Sequence, residues 1–200
     1  MAIAGAAIGS ASAQDAKLHE RLFVSPMGEP FRSGRDGPAP QDVWFDGADT
    51  NHDGALTLEE MIADGARFFA ILDVRGDGEI DPDDMERYET VLLPEVRGGG
   101  PDLSKRRTYL KGDGSGLHDD NGAGSPRDRT VTTAGKKGAA RFGYLDYPQP
   151  VIVADRNFNR GVDPREWAKA AELRFNALDT NGDGKILKSE LPDLPQGRGW

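Results

Sequence analysis

The residues best placed to do chemistry are oxygen donors at fixed intervals. In DTNHDGALTLEE, residues 49–60, Asp49, Asn51 and Asp53 alternate, Gly54 follows, and Glu60 closes the run. An acidic surface stretch needs neither the glycine nor the fixed distance to the last carboxylate. A hard divalent cation needs both. Ca2+ takes roughly six to eight oxygens, and a loop of about twelve residues can wrap them around one ion. The donors come from positions 1, 3 and 5, from a backbone carbonyl at 7, from position 9, and from a two-oxygen grip at 12. Those places hold Asp49, Asn51, Asp53, Ala55, Thr57 and Glu60. Gly54 sits at the sharp turn, where a residue without Cβ takes positive φ at no steric cost.

This pattern resembles the EF-hand loop, and it recurs. DTNGDGKILKSE supplies Asp179, Asn181, Asp183, the Lys185 carbonyl and Glu190, with Gly184 at the turn. Leu56 and Ile186 take the inward apolar position of the two loops. Two further copies are flawed. DVRGDGEIDPDD offers Asp73, Asp77, the Glu79 carbonyl, Asp81 and Asp84. Its third position is Arg75, which has no acceptor and carries the wrong charge. Its twelfth is Asp, one methylene short of Glu. Such a loop holds the smaller Mg2+, binds Ca2+ poorly or stays empty. DRNFNRGVDPRE offers Asp155, Asn157, Asn159, the Gly161 carbonyl, Asp163 and Glu166, but puts Arg160 where glycine is expected. An arginine at positive φ is strained, not forbidden, so this reads as a weakened but working site.

The elements that must position these donors follow from the spacing. Asp49 and Asp73 start loops 24 residues apart, and so do Asp155 and Asp179. That is an internal duplication. Between Glu60 and Asp73, and between Glu166 and Asp179, there is room for one helix only, so the helix leaving one loop enters the next. The close tandem spacing is similar to that of EF-hand proteins exported by bacteria, more than to calmodulin. The resemblance implies an all-α fold with four EF-hand loops in two duplicated helix-loop-helix-loop-helix halves and short β contacts between loops. A helix over 58–72 is ~22 Å long and holds its two loops too far apart to pair. The loops are therefore expected to pair between the halves or between two molecules, unless Asp64-Gly65 breaks the first shared helix.

The remaining chain divides by composition. MAIAGAAIGSASA, residues 1–13, reads as the end of a truncated signal peptide, with an Ala-rich tail as the alternative. Residues 14–40 form an extended arm anchored by Leu22, Phe23, Val24, Met27 and Phe31. Residues 41–97 make the first loop pair, and 142–200 the second with its tail. Between them, 98–141 is a Gly-rich linker, expected to be disordered, with nine Lys and Arg against five Asp. Its net +4 against −13 for the rest favours contact with the acidic halves over nucleic acid, since no aromatic platform accompanies the bases. Helices are expected from Pro40, from Pro82 to Leu93 with Tyr88, Val91 and Leu92 in the core, and from Pro150. The helix after the fourth loop is cut short by Pro192. No stretch is long and apolar enough to span a membrane.

Cysteine is absent, which excludes disulfides, thiol catalysis and Cys-rich zinc sites. His19, His52 and His118 are scattered, and no nucleophile motif or phosphate loop is present. The chain is not expected to be an enzyme. The expectation is an exported protein, periplasmic or secreted, in which calcium stabilises the fold or is buffered. The alternative is a sensor that recruits a protein partner through apolar surface from Trp44, Phe68, Phe69, Ile71 and Trp167. Four methionines are few for a promiscuous sensor groove, which leans toward the first role.

Overall fold

Three helices open on a proline, where the missing N–H costs nothing and φ is already helical. They are α1 (Pro40–Ala48), α3 (Pro82–Arg87) and α4 (Pro164–Leu178). The fourth, α2 (Leu58–Leu72), starts at a capping box in which Thr57 and Glu60 satisfy each other's backbone N–H groups. The computed structural model describes residues 21–97 and 135–194. Residues 1–20, 98–134 and 195–200 lie outside it. The signal-peptide reading, most of the linker and Trp200 therefore fall outside the described residues.

The chain is helical but not all-α, because it carries two small antiparallel sheets. Strand β1 (Arg21–Val24) pairs with β2 (Pro30–Ser33), and β3 (Ala55–Thr57) pairs with β4 (Lys185–Leu187). The second is the short contact expected between loops. It joins loop one to loop four, with Leu56 opposite Ile186. Loop two meets loop three through a single bridge, Ile80 to Val162, with both backbone N–H···O bonds at 3.0 Å. Pairing thus runs between the halves, and α2 and α4 lie antiparallel with one loop pair at each end. All four position-8 side chains, Leu56, Ile80, Val162 and Ile186, are buried.

Residues 14–40 read as an extended arm in the sequence, yet their β1–β2 hairpin is part of the core. The Phe23 ring lies 5.6 Å from Trp44 and 5.0 Å from Tyr144, so residues from both halves close over it. Tyr88 Oη donates to Gly28 O at 2.7 Å and pins the hairpin turn. One hydrophobic cluster draws on the hairpin and on both halves.

Gly65 does not break α2, which runs unbroken for 15 residues. It lets α4 approach instead. A Cβ there would sit 3.4 Å from Met27 Cε and 3.5 Å from Trp167 Nε1, and Trp167 donates to the Gly65 carbonyl at 2.7 Å. Asp64 beside it is buried and accepts from Trp44 Nε1 at 3.1 Å.

Three expectations need correction. After Arg87 the helix widens into a π turn, Tyr88–Leu92, closed by Leu93 N–H to Tyr88 O at 2.8 Å. The wider turn shifts the buried face by one residue. Leu93 is fully buried, Leu92 only partly, and Val91 is 66% exposed. Composition carries the linker to residue 141, but Gly138–Phe142 is a 3-10 turn with Ala139 and Ala140 buried. Ala139 N–H donates to Pro148 O at 3.0 Å and ties that turn down. The incoming helix of loop three is only a 3-10 turn, Ile152–Ala154, so the second half is not a full helix-loop-helix-loop-helix unit.

Candidate metal centre

Four twelve-residue loops share one backbone. At position 6 the φ angles are 82° for Gly54, 85° for Gly78, 76° for Arg160 and 82° for Gly184. At position 4, His52, Gly76, Phe158 and Gly182 all take positive φ as well. The first aspartate explains the shared shape. Its Oδ2 accepts the position-6 N–H in every loop: Gly54 to Asp49 at 2.9 Å, Gly78 to Asp73 at 2.9 Å, Arg160 to Asp155 at 3.0 Å and Gly184 to Asp179 at 3.0 Å. Each first aspartate thus draws the loop around its carboxylate.

Positions 3, 5 and 7 extend the curl. Asn51, Asn157 and Asn181 accept from the position-5 N–H at 2.8, 2.8 and 2.7 Å. Asp53, Asp77, Asn159 and Asp183 accept from the position-7 N–H of Ala55, Glu79, Gly161 and Lys185. Loop two breaks the series at Arg75, which pairs with Asp77 at 3.5 Å and also with Asp81.

The ninth residue caps the outgoing helix. Thr57, Asp81 and Asp163 each form a capping box with the twelfth, Glu60, Asp84 and Glu166. The twelfth side chain also folds across the loop mouth. Glu60 Oε1 accepts from Thr50 and Asn51 N–H at 3.1 and 3.3 Å, and Glu166 Oε1 from Arg156 and Asn157 N–H at 3.1 and 3.2 Å. Asp84 Oδ1 reaches only Val74 N–H, at 3.3 Å, as its shorter stem dictates. Burial pushes the Glu60 carboxyl up, but hydrogen bonds from Thr57, Asn51 and Thr50 outweigh it and hold the pKa below the ordinary glutamate value. Glu60 is thus charged and aimed into its loop at neutral pH.

Loop four differs at this point. Glu190 Oε2 accepts from Leu187 N–H at 2.9 Å, while Oε1 is buried without a hydrogen-bond partner. A buried carboxylate oxygen with no donor is costly, and a cation is the partner such an oxygen fits. Among the described residues, no three Asp, Glu or His side chains make a metal cluster by themselves. Loops one and four each contain three carboxylates, Asp49, Asp53 and Glu60 or Asp179, Asp183 and Glu190, which are therefore not gathered about one point here; an asparagine amide and a peptide carbonyl would complete either set. An all-oxygen set around one turn suits Ca2+ or Mg2+ and no softer metal.

The comparisons pick out the same two loops. A family model described as EF hand matches residues 41–63 and 172–192. The first stretch takes in α1, loop one and the start of α2; the second, the end of α4 and loop four. The match supports a relationship to the EF-hand superfamily over those stretches, and EF-hand character implies calcium binding. Loops two and three, with their arginines, lie outside both matches. No curated protein and no solved structure matches the chain. No helix among the described residues is long and apolar enough to cross a membrane.

Proposed function

We propose that this is a calcium-binding protein whose main sites are loops one and four, and that the ion stabilises the fold or is buffered there. The Glu190 Oε1 carries the reading, since loop four presents a buried carboxylate oxygen with no hydrogen-bond partner among the described residues. The β3–β4 pair supports it as well, because it couples the two loops that keep both the turn glycine and the closing glutamate. Asp49, Asn51, Asp53, Ala55, Thr57 and Glu60 would hold one ion; Asp179, Asn181, Asp183, Lys185 and Glu190 would hold the other. The donor set of loop three is complete apart from the turn residue, so it is a weaker third site on the same reading.

A structural role is favoured over sensing. Of the five residues proposed as a partner-binding surface, Trp44, Phe68, Phe69 and Trp167 are buried, and only Ile71 is exposed. Binding that reshaped the molecule would have to pull those four rings out of one shared cluster. Export to the periplasm or beyond accords with this role, because free calcium is high there; it rests on the composition of residues 1–13. No catalytic activity belongs to the reading.

The test is calorimetric titration with Ca2+ and, separately, Mg2+. Glu60→Gln and Glu190→Gln should each remove one calcium ion from the stoichiometry, because each takes a charged oxygen from the closing grip. Full stoichiometry in both variants would overturn the assignment.

A further inference from the structure

Loop two keeps the backbone of its siblings while presenting a guanidinium where they present an amide. Arg75 stands at position 3. Its side chain pairs with Asp77 at position 5 (3.5 Å), with Asp81 at position 9, and more distantly with Asp83 (3.6 Å). In an ion-holding loop, positions 5 and 9 face the cation. Here both carboxylates face a cation that the chain itself supplies. We propose that Arg75 is the built-in cation of loop two, closing that loop without metal, so that loop two takes no calcium at concentrations that fill loops one and four.

Three observations point the same way. Arginine has donors only, so position 3 contributes no oxygen. An incoming divalent ion would meet a fixed positive charge among its own ligands, or would have to expel the guanidinium into water first. The closing residue is Asp84, whose carboxylate already accepts the N–H groups of Val74 and Asp81 at 3.3 Å each and spans the loop less fully than Glu60 does. The loop-two end also has holding contacts that involve no ion. Ile80 and Val162 bridge, and the Glu79 side chain lies so close over Gly161 that a Cβ there would fall 1.7 Å from its Oε1. Loop two is therefore closed by the polypeptide itself.

This inference rests on the reading of loops one and four for its reference concentration, but the gain at loop two is read apart from them. The experiment is calorimetric titration of the full chain, Arg75→Asn and the double variant Arg75→Asn/Asp84→Asn with Ca2+ to millimolar concentration. Asn restores the oxygen found at position 3 of the other three loops. Arg75 is half exposed, so its replacement should leave the fold intact, and circular dichroism checks that. The expected result is one additional calcium ion on Arg75→Asn, with the loop-two association constant raised at least 100-fold, and loss of that ion in the double variant. Unchanged stoichiometry in a folded Arg75→Asn would overturn the proposal, as would a gain that survives Asp84→Asn. If the parent chain bound no calcium, the reading of loops one and four would fail, while the gain on Arg75→Asn would still be read against that baseline.

Discussion

At one end of the α2–α4 pair, three residues of β3 face three of β4; at the other, Ile80 and Val162 meet in a single bridge. The first end joins the two loops that keep the turn glycine and the closing glutamate, and the second joins the two with an arginine at position 3 or 6. Yet the backbones match. Position 6 spans only 76–85° of φ across all four loops, and every first aspartate accepts the same N–H. Loop shape is therefore set by local hydrogen bonds and by the buried apolar residue at position 8, and it outlives the loss of ligand chemistry. Metal affinity is a separate property, carried by the side chains at positions 3, 5, 9 and 12.

The comparison is sharpened most by deleting the apolar residue at each end. Ile186 is fully buried opposite Leu56, and Val162 is equally buried opposite Ile80. Ile186→Ala should cost about 2–5 kcal/mol, as buried Ile truncations do. Val162→Ala removes about two methyl groups and should cost roughly 1.6 kcal/mol at about 0.8 kcal/mol each. Urea unfolding monitored by tryptophan fluorescence gives both numbers. A larger loss at Val162 would mean that the single-bridge end is the stronger clamp.

Next in size is the ion itself. With calcium at about 100 times its Kd, each filled site stabilises the native state by about 2.7 kcal/mol. Chelation should withdraw that amount from the end holding loops one and four. Amide exchange should quicken most at Leu56 and Ile186 on chelation, and less at Ile80, whose N–H donates to Val162 of the weaker loop three. Equal acceleration at both ends would show that the loop-two end also depends on metal.

How much of this was legible in the sequence depends on the range of the interactions. The loops were, because Asp49, Asn51, Asp53 and Glu60 act within twelve residues and the code is local. Helix length led to the shared helices and to pairing between the halves or between two molecules, not within a half, and α2 spans Leu58–Leu72 as that argument required. What was missed depends on distant partners. The hairpin is held by Phe23 against Trp44 and Tyr144, and by Tyr88 on Gly28, none of which local pattern announces. Val91 was misplaced because a π turn changes the period. Arg174 sits on α4 where the duplicated helix has Phe68. It is buried, donating to Pro150 O and stacked over Tyr147 and Trp167, with no ion pair among the described residues. Burial lowers its pKa to about 10, so it remains charged at neutral pH. Sequence alone gave no reason to place a charge in the core.

The smallest effect tests whether loop three shares the common backbone at a cost. Arg160 holds φ at 76°, a region that charges an L-residue about 1–2 kcal/mol and glycine almost nothing. Its N–H still donates to Asp155, so the strain is borne to keep the curl. Arg160→Gly should therefore stabilise the protein, by about 1 kcal/mol once glycine's greater freedom in the unfolded chain is subtracted. It also removes a positive charge from the loop, so calcium affinity at loop three should rise with stability. Thermal melts with and without calcium separate the two contributions. A loss of stability in the calcium-free melt would mean that the arginine side chain makes a favourable contact that outweighs its backbone strain.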